Sequence, residues 1–154
     1  MPKTSTGRAL LTLTSLATMC LAYVADWNET HIYNPDWTSH AKFHNAQTMS
    51  VGAALGLVGL YVLWMRRGAW SHSRLQLATG AASLYWITQL SAIFYPGTAL
   101  VDPPRTFAPQ PALAAAILAL NALAYVVESR GIGRSAGQRR TKTAHLGAAD
   151  TSSP

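Results

Sequence analysis

The chain has 154 residues, 12% of them charged and 49% apolar, with a formal net charge of +6 and one cysteine. A soluble domain is usually about a quarter charged, so the balance points to lipid as the solvent and the length to a single domain. Cys20 is alone, which excludes an intrachain disulfide and any CxxC metal or redox motif.

Crossing about 30 Å of hydrocarbon takes roughly 20 apolar residues in a helix. Four runs approach that length: 9–25, 45–65, 75–95 and 111–127. The first and last are short and lean on flanking Tyr and Trp at the membrane surface. "MPKTSTGR" with the first run also satisfies the pattern of a secretory signal, Cys20 and Ala22 being small enough to precede a cut. Either way the segment that follows lies on the same side.

That segment, "DWNETHIYNPDWTSHAKFHNAQ" from Asp26 to Gln47, gathers three His, three carboxylates, two Trp and three Asn between two apolar runs. Asn34 before Pro35 reads as a helix start, with a capping side chain ahead of a residue that lacks an amide hydrogen. From there Trp37, His40, His44 and Gln47 fall on one stripe. Asn28-Glu29-Thr30 matches a glycosylation acceptor, but one too close to the first span to be used.

The second span reads "SVGAALGLVG", with Gly52 and Gly56 at the G-x-x-x-G spacing that permits close backbone approach. The spacing fits packing inside the chain or a homo-oligomer through this helix. In the third span Tyr85 sits near mid-membrane with Gln89 one turn on. In the fourth, Asn121 and Tyr125 are likewise one turn apart, with Glu128 near the end. Amides and carboxyls in lipid must face protein or a cavity. The outer connection "PGTALVDPPRTFAPQP" is semi-rigid through its prolines and brings Asp102 and Arg105 to the side of the His-rich segment. Residues 129–154 read as a basic, disordered tail.

In a four-pass arrangement ten of the twelve Lys and Arg fall on the side of both termini, leaving Lys42 and Arg105 on the other. The positive-inside rule then makes both termini cytoplasmic. The charge therefore reports topology, with no nucleic-acid partner. Membrane lipids are the expected surroundings. The expectation is an all-α, integral membrane four-helix bundle over 1–128, multi-pass, in the endoplasmic reticulum.

Three chemistries suit the His-rich segment. His40 and His44, with His31 or Asp36, have spacing for a metal; His with Asp26 or Glu29 suits proton transfer; Trp, Tyr and His also line headgroup zones with no chemistry at all. His40 lacks a following Glu, so an H-E-x-x-H hydrolase is not indicated.

The pattern D-W-N-x-T-H-x-x-N-P-x-W-x-x-H-A-x-F-H-x-x-Q, present from Asp26 to Gln47, resembles that of a family of short four-helix membrane proteins, most of unknown function. In size and layout the chain is also similar to small membrane epoxide hydrolases of fungal polyene pyrone pathways, of the aurovertin and citreoviridin type. That second resemblance implies an enzyme of secondary metabolism that hydrolyses or cyclises an epoxide on a lipophilic polyketide.

The reading adopted is acid–base chemistry on such a lipophilic substrate, with no cofactor and no metal. Asp26 is the expected base, His40 and His44 the acid or orienting groups. Trp27, Trp37, Gln47, Tyr85, Gln89 and Arg105 are expected to hold the substrate. The alternative is a non-enzymatic lipid- or sterol-binding or accessory membrane protein.

Overall fold

The computed structural model describes the backbone of residues 5–101 and 106–150, and side chains through Ser135. The order is α1 Thr6–Asp26, α2 Ser39–Leu60 continued by a π-helical turn Tyr61–Met65, α3 His72–Ser91 continued by a 3-10 turn Ala92–Phe94, and α4 Gln110–Asp150. No strand occurs among the described residues.

Cross-helix bonds fix alternating directions. Asp26 at the end of α1 meets Asn45 near the start of α2, while Arg8 at the start of α1 bonds to the Leu63 carbonyl at the far end. Trp70 before α3 bonds to Glu128 late in α4. The bundle thus has a basic end, with Arg8, Arg74 and Glu128, and an opposite end that carries the His-rich connection.

Three helical segments are long and apolar enough to cross a membrane: Thr6–Asp26, Ser39–Met65 and Gln110–Ser135. The third expected span is not among them, because α3 spends many positions on Ser, Thr and Gln. It nevertheless runs the same depth as its neighbours. Arg74 reaches Val62 at the basic end, the Ala82 carbonyl receives Thr18 and Asn121 midway, and Gln89 lies at the other end.

The packing suits lipid. Leu13, Leu16, Leu57, Leu84, Ile87 and Leu123 point outward, while Thr14, Ser15, Thr18 and Asn121 are buried. With no water to satisfy them, Thr14, Thr18 and Asn121 bond within the bundle. Trp86 donates from Nε1 to Thr18 Oγ1 at 2.8 Å, and Asn121 Nδ2 donates to the Ala82 carbonyl and to Ser83 Oγ. This polar layer separates a core around Leu11, Leu63 and Leu75 from one around Met49, Trp86 and Ile117.

The glycine face of α2 is consumed inside the chain. A Cβ on Gly56 would lie 2.5 Å from the Ser15 carbonyl oxygen and 2.6 Å from Met19 Cβ, and one on Gly52 3.0 Å from the Thr18 carbonyl oxygen. Of the two uses the spacing allows, packing inside the chain is the one seen at Gly52 and Gly56.

At the basic end, the carbonyls that the last turn of a helix leaves unpaired are met by arginines. Arg74 donates to Val62 and Leu63, and its Nη1 to Gly68. Arg8 lies over the rings of Trp64 and Trp70, 4.3 and 5.0 Å from their centroids.

One expectation about an element end is corrected. α2 starts at Ser39, capped by the Thr38 side chain accepting from the Ala41 amide, whereas Asn34 accepts from the Asp36 amide in a turn. Asn-Pro begins turns as readily as helices. α4 runs from Gln110 to Asp150, and no proline interrupts it after Pro111.

Candidate functional site

The connection 27–38 folds back on the end of α1 through its own backbone. Amides of Asn28 and Ile32 donate to the Asp26 carbonyl, and those of His31 and Tyr33 to the Asn28 carbonyl. The consequence is that His31, five residues beyond Asp26 in sequence, returns to its side chain.

Asn28 and Thr30 then orient that histidine. Asn28 Nδ2 donates to the Ala25 carbonyl at 2.6 Å, which leaves Oδ1 to accept from the Thr30 amide at 2.8 Å and the Thr30 hydroxyl at 2.6 Å. The one hydroxyl proton of Thr30 is thereby used, so at 2.8 Å its oxygen accepts from His31 Nδ1. In the neutral ring the lone pair is on Nε2, and Nε2 faces Asp26 Oδ1 at 3.7 Å. The acceptor sequence N-x-T thus has a structural use, since the Asn28 amide nitrogen is engaged. Trp37 packs edge-on against the imidazole, with centroids 5.2 Å apart.

Asp26 has one partner on each oxygen. Oδ1 faces His31, and Oδ2 accepts from Asn45 Nδ2 at 2.9 Å. The carboxylate and the imidazole are 19% and 30% exposed, sheltered yet reachable. A spacing of 3.7 Å is too long for a direct hydrogen bond and leaves the pair to act together on a third group, a water or a substrate hydroxyl.

Both residues line a cavity of about 390 Å³, within the range of small-molecule sites. Tyr85, Trp86 and Gln89 come from α3, Gln110 and Leu113 from α4, Leu21 and Ala22 from α1, and Phe107 and Pro109 from the segment before α4. Apolar walls surround a carboxylate, an imidazole, a phenol and two amides. The Oε1 atoms of Gln89 and Gln110 have no partner in the protein, so both amides keep unused hydrogen-bonding capacity beside the cavity.

Of the residues expected from sequence, the cavity brings together Asp26, Tyr85 and Gln89. His40, His44 and Gln47 are not among its lining; they stand together on an exposed face of α2. Trp27, 55% exposed, stacks on Tyr23 as part of an aromatic belt at the surface. Trp37 touches the site only through His31. Arg105 and Asp102 lie outside the described residues. The sequence named His31 only as a possible third metal ligand, and it did not single out Gln110. His31 is placed by loop hydrogen bonds with no sequence period, and Gln110 is hidden by its neighbour Pro111 at the helix start.

Among the described residues no three His, Cys, Asp or Glu side chains converge on a point that would hold a metal.

A family model described as "Family of unknown function (DUF6640)" matches residues 10–140, which include every residue of the cavity. No curated protein and no solved structure matches the chain.

Proposed function

Because the chain belongs to this family of unknown function, membership supplies no reaction. From the chemistry of the cavity we propose that the protein is a small membrane-embedded enzyme that applies acid–base chemistry to a lipophilic, oxygenated substrate. The observation that carries this is the approach of Asp26 Oδ1 and His31 Nε2, 3.7 Å apart, on the wall of a cavity that mixes apolar and polar lining. Such a pair exchanges protons with a group held between its members, and apolar walls suit an oily molecule arriving from the bilayer.

The reaction that best uses these groups is the opening of an epoxide on a polyketide. A water between Asp26 and His31 bonds through its oxygen to a ring carbon and gives a proton to the carboxylate. The ring C–O bond breaks, and the Tyr85 hydroxyl gives its proton to the leaving oxygen. The proton on Asp26 then passes by way of His31 back to the phenolate, so epoxide and water yield a diol with no net proton change. If a hydroxyl of the substrate replaces the water, the product is a cyclic ether. Gln89 and Gln110 position the substrate oxygens. The count of basic residues supports an orientation with both termini in the cytoplasm and the cavity opening away from it, in the endoplasmic-reticulum membrane.

The test uses full-length protein in lipid nanodiscs, a long-chain polyene monoepoxide, and water labelled with oxygen-18. A diol carrying one labelled oxygen is expected, and Asp26→Asn and His31→Gln each suppress it. Diol formation at the unmodified rate in both variants overturns the reading. The runner-up, a binder of lipid or sterol, draws support from the unpartnered amides and the apolar walls; it predicts that the probe or a sterol quenches Trp86 fluorescence and is recovered unchanged.

A further inference from the structure

We propose that His40 and His44 form a site for a divalent transition-metal ion, Cu²⁺ or Ni²⁺ ahead of Zn²⁺, on the exposed face of α2 near its start. One turn apart, the rings meet edge-on with planes at 82°, and their Nε2 atoms share a hydrogen bond of 3.0 Å whose single proton an ion bound between them would displace. The Oε1 of Gln47 lies 3.3 Å from His44 Nδ1. An amide oxygen only accepts, so Nδ1 carries the proton and Nε2 presents its lone pair, the arrangement of a histidine prepared to ligate. His40 lies nearly parallel to Phe43, with centroids 6.3 Å apart, which restrains its ring plane.

The separation suits a cis pair of nitrogens on one ion. Seen from an ion about 2.0 Å from each nitrogen, atoms 3.0 Å apart subtend about 95°. That is a cis angle of square-planar or tetragonal coordination, the preference of Cu²⁺ and Ni²⁺. A tetrahedral Zn²⁺ asks for about 109°, hence nitrogens roughly 3.3 Å apart. Imidazole nitrogen also selects against Mg²⁺ and Ca²⁺, which take oxygen. Both rings are exposed, so the ion arrives from the aqueous side, and water fills its other positions. The site is separate from the cavity, whose lining contains neither histidine.

The test is a copper titration of the full-length protein, free of any polyhistidine tag, in detergent micelles, read by electron paramagnetic resonance with nitrogen modulation. One equivalent of tetragonal copper coupled to two imidazoles is expected. His40→Ala and His44→Ala each abolish the two-imidazole signal, Gln47→Ala weakens binding about 10-fold, and His72→Ala, at the opposite end of the bundle, changes nothing. Both ligands are exposed, so helix content by circular dichroism stays constant through the series. Copper signals of the free aquo ion alone, a two-imidazole signal that survives His40→Ala or His44→Ala, or its loss on His72→Ala overturns the proposal.

Discussion

Asn45 Nδ2 donates to Asp26 Oδ2 across 2.9 Å, tying the last residue of α1 to the second turn of α2. A hydrogen bond to a charged group contributes about 1.5–3 kcal/mol; Asp26 is partly exposed, which places this one toward the lower figure. Asn45→Ala is expected to lower the unfolding temperature in detergent and to slow conversion of the epoxide probe about 10-fold, since the carboxylate loses its anchor. Asn45→Asp sets a second carboxylate beside the first and should cost more. Thermal unfolding and turnover measured on the same preparations check both.

The Thr30 hydroxyl holds His31 in one tautomer through its bond to Nδ1. Thr30→Val keeps the shape and removes the acceptor, so the ring is free to carry its proton on Nε2, facing Asp26. Conversion of the probe is expected to fall, with its dependence on pH altered, and Thr30→Ser to restore both. Nitrogen NMR of labelled His31 reads the tautomer directly; an unchanged tautomer in Thr30→Val refutes the relay.

Gly56 admits no side chain, because a Cβ there would lie 2.5 Å from the Ser15 carbonyl oxygen and 2.7 Å from the Met19 amide nitrogen, both backbone atoms. Gly56→Ala forces α1 and α2 apart. Strain of this kind costs about 1–3 kcal/mol, and Gly56→Leu should prevent folding. Since the contact is internal, size-exclusion chromatography is expected to give the same oligomeric state for Gly56→Ala as for the unmodified protein, while thermal unfolding shows the loss.

Arg74 supplies three donors to the end of α2 and the turn beyond it. Arg74→Met keeps the stem and removes them, leaving the buried Val62 carbonyl without this partner at a cost of about 1–3 kcal/mol. The effect should be local: hydrogen–deuterium exchange is expected to rise at 61–68 while the connection 27–38 keeps its protection.

The helices were legible because apolar runs of membrane length have few other uses, and Asn121 could be assigned to the interior because lipid offers an amide no partner. What failed was local. Asn34-Pro35 carries the same chemistry for a turn as for a helix start. The stripe of His40, His44 and Gln47 is real, but a single helix does not reveal which of its faces meets the bundle, and this one faces outward. Asp26, Tyr85 and Gln89, named from sequence for their polarity in or beside apolar runs, line one cavity. His31, named from sequence only as a possible third metal ligand, was not placed beside Asp26, because that place depends on Asn28 and Thr30 folding the connection back, a sequence of bonds visible only in three dimensions.

α3, the helix without a stretch apolar enough to cross a membrane on its own, has consequences for biogenesis. In α1, Thr14 and Thr18 bond to carbonyls one turn back, so that helix is self-sufficient on leaving the translocon. The indole of Trp86 finds its acceptor on α1 instead, a bond that α3 gains only beside its neighbours. Insertion of α3 should therefore be conditional, retained at the translocon until α1 and α2 are lodged and completed when α4 closes around it.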